Sequence, residues 1–302
     1  MTQANLDTVV LNFSASSLTV LNAVLAVVMF AIAIDLSLAD FRRLLQSPRA
    51  LITGLVSQFL LLPAVTFGLV LLTQPQPSIA LGLILVAACP GGNISNYITH
   101  RAGGNAALSV SMTAFATVGA ILMTPLNIAF WGALYAPTRE ILQATVIDPV
   151  SVAITVGLML VLPLVLGVSL NSTRPDLTAR LRRPLQNVAM GIFIAFIALA
   201  LMSNWNYFLQ FATAVAALVL LHNALALTTG FSIASVMGLS AYDRRAITIE
   251  TGIQNSGLGL ILIFGFFGGL GGMAVVAAFW GIWHAITGLG LASLMNRTEA
   301  AR

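Results

Sequence analysis

The sequence predicts an all-α integral membrane protein: nine transmembrane helices in an inverted repeat, two of them broken near their middles. Three observations predict it. Of 302 residues, 59% are hydrophobic and 7% are charged, where a soluble domain carries about 25% charged residues, so a soluble globular protein of this size is excluded. At roughly 20 residues per crossing, the length holds nine or ten spans and leaves no room for a soluble domain. Two of the apolar segments also contain polar, glycine-rich interruptions at a depth where a continuous lipid-embedded helix is apolar.

In chain order, the first apolar segment covers about 18–38 and ends in a break holding Arg42, Arg43 and Arg49. TQPQPS at 73–78 joins the second (50–73) to the third (78–102), which ends at Arg101. The fourth (105–134) and fifth (146–171) flank a loop at 135–149 that carries Arg139. A turn with Arg174, Arg180, Arg182 and Arg183 leads to the sixth (185–203), and SNWNY at 203–207 leads to the seventh (207–238). Arg244 and Arg245 open the eighth (243–267), GFFGGLGG at 265–272 precedes the ninth (270–295), and Arg297 and Arg302 lie in the tail. All 13 basic residues are arginine, and every one except Arg139 falls on the same predicted side. The positive-inside rule then puts the N-terminus outside and the C-terminus in the cytoplasm, which an odd number of spans satisfies. These clusters are topology signals, not a nucleic-acid surface.

The third segment runs LGLILVAACPGGNISNYITHRAGG, with Pro90, Gly91 and Gly92 followed by Asn93, Ser95 and Asn96. The eighth runs RRAITIETGIQNSGLGLILIF, with Glu250, Thr251, Gly252, Gln254, Asn255, Ser256 and Gly257 clustered. Proline and glycine break a helix here, and freed backbone inside a membrane is tolerated only against protein or a cavity. The two segments are five apart, an odd offset, so the units around them cross the bilayer in opposite senses. This is the arrangement of secondary transporters, whose site lies at the midplane between broken helices.

Glu250 is the acidic residue that cannot reach an interface, and a carboxylate in hydrocarbon costs upward of about 2.5 kcal/mol unless paired. Arg244 and Arg245 lie about 7.5 to 9 Å away along the axis and point to the cytoplasm. The donors around it are hydroxyls, amide oxygens and freed carbonyls, hard ligands suited to alkali or alkaline-earth ions; one carboxylate favours a monovalent ion. A protonated glutamate in a structural network, and a proton-coupling glutamate, fit the same residues. One cysteine, Cys89, excludes an intrachain disulfide, and the three histidines lack metal-motif spacing. Residues 1–16 carry Asp7 as their one charge, so no cleavable secretory signal is expected.

CPGGNISN at 89–96, ALSVSMT at 107–113 and ETGIQNSG at 250–257, together with LADFRRLL after the first helix and the pair Trp283 and His284, resemble the bile acid:sodium symporter family along essentially the whole chain. The resemblance implies that the two broken helices cross, with a panel domain (about 18–38 and 146–203) moving against a core domain (about 50–134 and 207–295) and two sodium ions behind the crossing. It implies one sodium site from Ser95, Asn96, Ser109, Thr113 and Glu250; Ser109 and Thr113, at i and i+4, share a helix face. It implies a second from Gln58, Glu250, Gln254 and the carbonyls of Thr251 and Ile253. Relative to ten-helix members, the chain resembles one lacking the first panel helix.

The half-helix N-termini near Asn93 to Asn96 and Asn255 to Gly257 attract an anion, and Asn93, Asn255 and His284 are the substrate-facing candidates. The expectation is sodium-coupled symport of an organic anion, a bile acid or a smaller carboxylate such as pantoate or a keto acid, by alternating access in the inner (plasma) membrane. A proton-coupled transporter or efflux antiporter on the same scaffold is the alternative. No nucleophile motif supports an enzyme, and no protein partner is predicted. Asp35 is expected to pair at the interface with Arg42 and Arg43, His222 to be a buried hydrogen-bonding histidine, Cys89 to pack, and Trp131 and Trp205 to sit in an aromatic belt.

Overall fold

The computed structural model describes residues 6–7, 15–34, 48–92, 94–145, 148–203 and 205–300, and these are helical nearly throughout. In chain order the helices are α1 (Ala15–Ala33), α2 (Pro48–Thr73), α3 (Pro77–Ala88), α4 (Ile94–Arg101), α5 (Ala106–Leu134), α6 (Ala136–Thr145), α7 (Pro149–Thr173), α8 (Pro175–Ser203), α9 (Trp205–Val236), α10 (Ala241–Gly252), α11 (Ser256–Phe266) and α12 (Gly271–Ala300). Among the described residues, α2, α5, α7, 215–236 of α9 and 271–296 of α12 are long and apolar enough to cross a membrane. The two segments expected to break do so: α3 ends at Ala88 and α4 begins at Ile94, and α10 and α11 part at 253–255.

Two expectations are corrected. The 135–149 loop is mostly the amphipathic helix α6, whose mixed sequence APTREILQAT offers too few apolar residues to read as a span. The sixth segment begins at Pro175, ten residues early, and carries Arg180, Arg182 and Arg183 on the helix, leaving Arg174 in the turn. Proline suits the first turn of a helix and arginine is a good helix former, so the cluster extends α8 instead of interrupting it. The stretch holding Asp35, Arg42 and Arg43 lies outside the described residues, as does the side chain of Trp205.

Helices α2 and α7 each contain one π-helical stretch, at Ser57–Leu61 and Gly157–Val161, just before a proline. Pro63 has no N–H, and its ring crowds the carbonyl one turn back, so the helix widens locally: the Leu62 N–H reaches back to the Ser57 carbonyl. The Phe59 carbonyl that Pro63 leaves unpaired accepts instead from Asn127 Nδ2 on α5, at 3.1 Å.

Hydrogen bonds define the two ends of the core. At one end Arg49 donates to the Met237 carbonyl at 2.5 Å, Asn105 N–H to the Tyr242 carbonyl, and Arg245 to the carbonyls of Ala102 and Gly103. At the other, Leu6 N–H donates to Gln76 and Ser78 N–H to Asp7, and Gly272 lies so close to Ser78 that a Cβ would collide with it. Arg49, Arg101, Arg244 and Arg245 share the first end, as the charge pattern predicts, and Arg139 is near the second. The core is buried around α3 and α11, with every residue of α3 from Ser78 onward inaccessible. Helix α1 packs against α7 and α8 and touches α11.

Candidate cation site

The two interruptions pass each other in antiparallel register, with Gly91 opposite Gln254. Gly92 N–H donates to the Ile253 carbonyl at 2.7 Å and Asn255 N–H to the Pro90 carbonyl at 2.9 Å, so each break satisfies backbone groups that the other frees. Gly91 and Gly92 make this approach possible. A Cβ on Gly91 would sit 2.5 Å from Glu250 Oε1, and one on Gly92 2.7 Å from the Gln254 carbonyl oxygen.

Glu250, in the last turn of α10, is 1% exposed. Ser95 Oγ donates to Oε2 at 2.6 Å, Ser109 Oγ lies 2.8 Å from the same oxygen, and Thr113 Oγ1 lies 2.5 Å from Oε1. Asn96 Oδ1 completes the group, 2.9 Å from Ser109 Oγ and 3.2 Å from Thr113 Oγ1. Thr113 Oγ1 is also 3.1 Å from the Ser109 carbonyl. Three hydroxyl hydrogens therefore serve six oxygen–oxygen contacts. A carboxylate among hard oxygens in this arrangement suits a hard cation. Among the described residues no three His, Cys, Asp or Glu side chains converge, so the donors suit a monovalent ion better than a transition metal.

The second predicted group is assembled differently. Gln58, in the π-helical stretch, donates to the Cys89 carbonyl and to Gln254 Oε1, both at 2.8 Å. Gln254 donates to the Thr251 carbonyl at 2.7 Å and to Gln58 Oε1 at 3.3 Å. Gln58, Gln254 and the Thr251 carbonyl are together, as the resemblance implies. The Glu250 carboxylate bonds instead to the three hydroxyls, and the Ile253 carbonyl bonds to Gly92 N–H.

Of the substrate candidates, Asn255 caps α11 through Oδ1 to Leu258 N–H at 3.0 Å, and its Nδ2 lies 3.9 Å from Met29 Sδ on α1. His284 is buried on α12, with Nδ1 unpaired among the described residues. Asn93 lies outside the described residues. His222 is the buried hydrogen-bonding histidine expected, 2.6 Å from Thr66 Oγ1, and Cys89 is buried. Trp131, at the far end of α5, packs on Phe67 and Phe130.

Three supporting residues escape the sequence reading. Asn223 on α9 is buried, donates 2.8 Å to the Gly252 carbonyl at the unwound end of α10, and accepts 2.6 Å from Thr287 Oγ1 on α12. Ser57 and Thr251 share a hydrogen bond of 2.9 Å. The signal was present in Asn223, an amide inside the apolar run LLHNALA.

Residues 22–211 match the Sodium Bile acid symporter family. Over 293 residues the chain is 31% identical to the Bacillus subtilis (strain 168) protein named Uncharacterized sodium-dependent transporter YocS, covering 95% of this chain and 88% of that protein. It is 31% identical over 274 residues to Probable sodium/metabolite cotransporter BASS1, chloroplastic, of Arabidopsis thaliana (91% of this chain, 66% of that protein). Over 244 residues it is 32% identical to the mouse Sodium-dependent organic anion transporter (78% of this chain, 62% of that protein). The chain spans just under two thirds of the plant and mouse relatives. Sodium dependence and transport run through these names, and none describes an enzyme. With the family matched over most of its length and a sodium-dependent transporter similar along nearly all of it, the chain belongs to the sodium bile acid symporter family.

Proposed function

We propose that the protein couples sodium entry to uptake of an organic anion by alternating access. The observation that carries this reading is the Glu250 cluster: a buried carboxylate and four neighbouring side-chain oxygen donors with too few hydrogens among them. Sodium held by Ser95, Asn96, Ser109, Thr113 and Glu250 would neutralise the carboxylate and tie α4, α5 and α10 together. A second ion at Gln58, Gln254 and the Thr251 and Ile253 carbonyls requires the paired amides to turn their oxygens inward. Two sodium ions balance Glu250 and a monovalent anion, so the loaded site buries no net charge. The anion would sit at the N-termini of α4 and α11 beside Asn93, Asn255 and His284, drawn by the helix dipoles.

The wider architecture of this reading is nine spans as an inverted repeat, with α1, α7 and α8 as the panel and the remaining spans as the core. The arginine-bearing end faces the cytoplasm and the N-terminus lies outside the inner (plasma) membrane. The mutual packing of α1, α7 and α8 supports the panel. Substrate binding and sodium binding are then reciprocal, each strengthening the other.

The test is uptake into proteoliposomes of taurocholate, pantoate and pyruvate under equal inward gradients of sodium or potassium. Accumulation above equilibrium with sodium alone is expected for at least one of them. Accumulation that follows a pH gradient and ignores sodium would instead make Glu250 a proton carrier, and flux that never concentrates a substrate would indicate a channel.

A further inference from the structure

A cavity of about 280 Å³ lies between α5, α6, α7 and α11, away from the crossing. Ile128, Val152, Leu262 and Phe266 line it, while Arg139 and Gln143 of α6 also border it. Leu262 and Phe266 lie seven and eleven residues beyond Asn255, about 10 to 17 Å along α11 at 1.5 Å per residue, so this space is separate from the cation cluster.

Its charge arrangement is unusual for this chain. Arg139 stands at the end of the core opposite Arg49, Arg101, Arg244 and Arg245, and its Nε–H donates 2.7 Å to the Ala133 carbonyl. Its terminal guanidinium nitrogens have no hydrogen bond among the described residues. Two carboxylates are near in sequence. Asp148 is engaged by the N–H groups of Val150 and Ser151 and the Ser151 hydroxyl, and Glu140 forms no ion pair with Arg139 among the described residues. Gln143, four residues on, shares the Arg139 face of α6. The flanking surface is apolar and exposed at Leu126, Phe130 and Val150, as a lipid-facing surface is.

We infer that this cavity binds an anionic phospholipid of the surrounding bilayer, its phosphate held by Arg139 and Gln143 and part of an acyl chain lodged among Ile128, Val152, Leu262 and Phe266. Charge complementarity selects the head group: a guanidinium with free N–H edges takes a phosphate oxygen in a charge-assisted hydrogen bond. The apolar floor beside a lipid-facing surface selects a chain-bearing ligand over a soluble anion. The inference stands independently of sodium coupling.

The experiment is native mass spectrometry of the protein released from nanodiscs of equal phosphatidylglycerol and phosphatidylcholine. Wild type should retain one phosphatidylglycerol in preference to phosphatidylcholine. Arg139→Gln should lower that retention roughly tenfold, the scale of one charge-assisted hydrogen bond. Arg139→Lys should recover most of it, and Ala129→Phe should weaken retention by narrowing the cavity while leaving the charge in place. Unchanged melting temperatures in phosphatidylcholine alone would show that the variants are folded. Equal retention of the two lipids by wild type, or no change in Arg139→Gln, would overturn the assignment. So would displacement of the lipid by taurocholate, which would make the cavity a substrate site, or retention found only in a dimer, which would make it an interface between copies.

Discussion

The Glu250 cluster and the Gln58–Gln254 pair lie on the same helix crossing, yet their hydrogen-bond balances are opposite. Around Glu250, oxygens outnumber the hydrogens that could join them, and one oxygen group bears a charge. Around Gln58 and Gln254, both amides spend both N–H groups, on each other and on the carbonyls of Cys89 and Thr251. The first arrangement gathers a carboxylate and hard oxygens; the second is neutral and closed. In the proposed account a cation has a carboxylate to offset the hydroxyl hydrogens it displaces at Glu250, whereas at Gln58 it would have to part an amide pair with no charge beside it, so the first site would be the tighter one.

The most severe way to break that comparison is Glu250→Gln. It removes the charge while keeping the shape, and should raise the sodium concentration for half-maximal transport roughly a hundredfold, the scale of a lost charged interaction. Ser109→Ala and Thr113→Val each remove one neutral oxygen and should shift the same quantity about tenfold. Gln58→Leu sharpens the contrast differently: it leaves the Glu250 cluster intact, so the Hill coefficient for sodium should fall from near two to near one with high-affinity binding preserved. An unchanged coefficient would remove Gln58 from the ion path.

Asn223→Ala tests the support beneath both clusters. It leaves the buried Gly252 carbonyl without its partner and should cost about 1 to 3 kcal/mol of stability, read as a lower melting temperature, with a smaller change in sodium affinity than Ser109→Ala. The least effect belongs to Asp148, a cap remote from both. Hydrogen bonds from the Ser151 side chain and the Val150 and Ser151 N–H groups hold its carboxyl below the usual carboxylate range. Its stabilisation is present at neutral pH and lost as pH falls through that lowered value. Asp148→Ala should lower the melting temperature slightly at pH 7 and not at all once wild-type Asp148 is protonated.

Glu250 and the polar interruptions around Asn96 and Thr251 are legible because a carboxylate and amides stand out in apolar helices; the resemblance is what joins Ser95, Asn96, Ser109 and Thr113 to Glu250, with i, i+4 spacing in support for the last two. The resemblance brought in Gln58, but nothing in its neighbourhood announced the π-helical stretch, which follows from the backbone response to Pro63. Asn223 stands beside the more conspicuous His222 in the same apolar run. Helix α6 and the first turns of α8 were misplaced for one reason: charged residues in a membrane protein read as loop, whereas at the bilayer surface arginine and glutamate are good helix formers. Substrate contacts were the least legible, since they depend on side chains gathered from separate helices and on Asn93.

The most direct measurement is the melting temperature of the purified protein in sodium against potassium, for wild type and Glu250→Gln, with no substrate present. A ligand at 100 times its Kd that binds only the folded state adds about 2.7 kcal/mol. The account predicts that sodium alone raises the wild-type midpoint and that Glu250→Gln abolishes the rise. Equal midpoints in sodium and potassium, with a midpoint that follows pH, would contradict it.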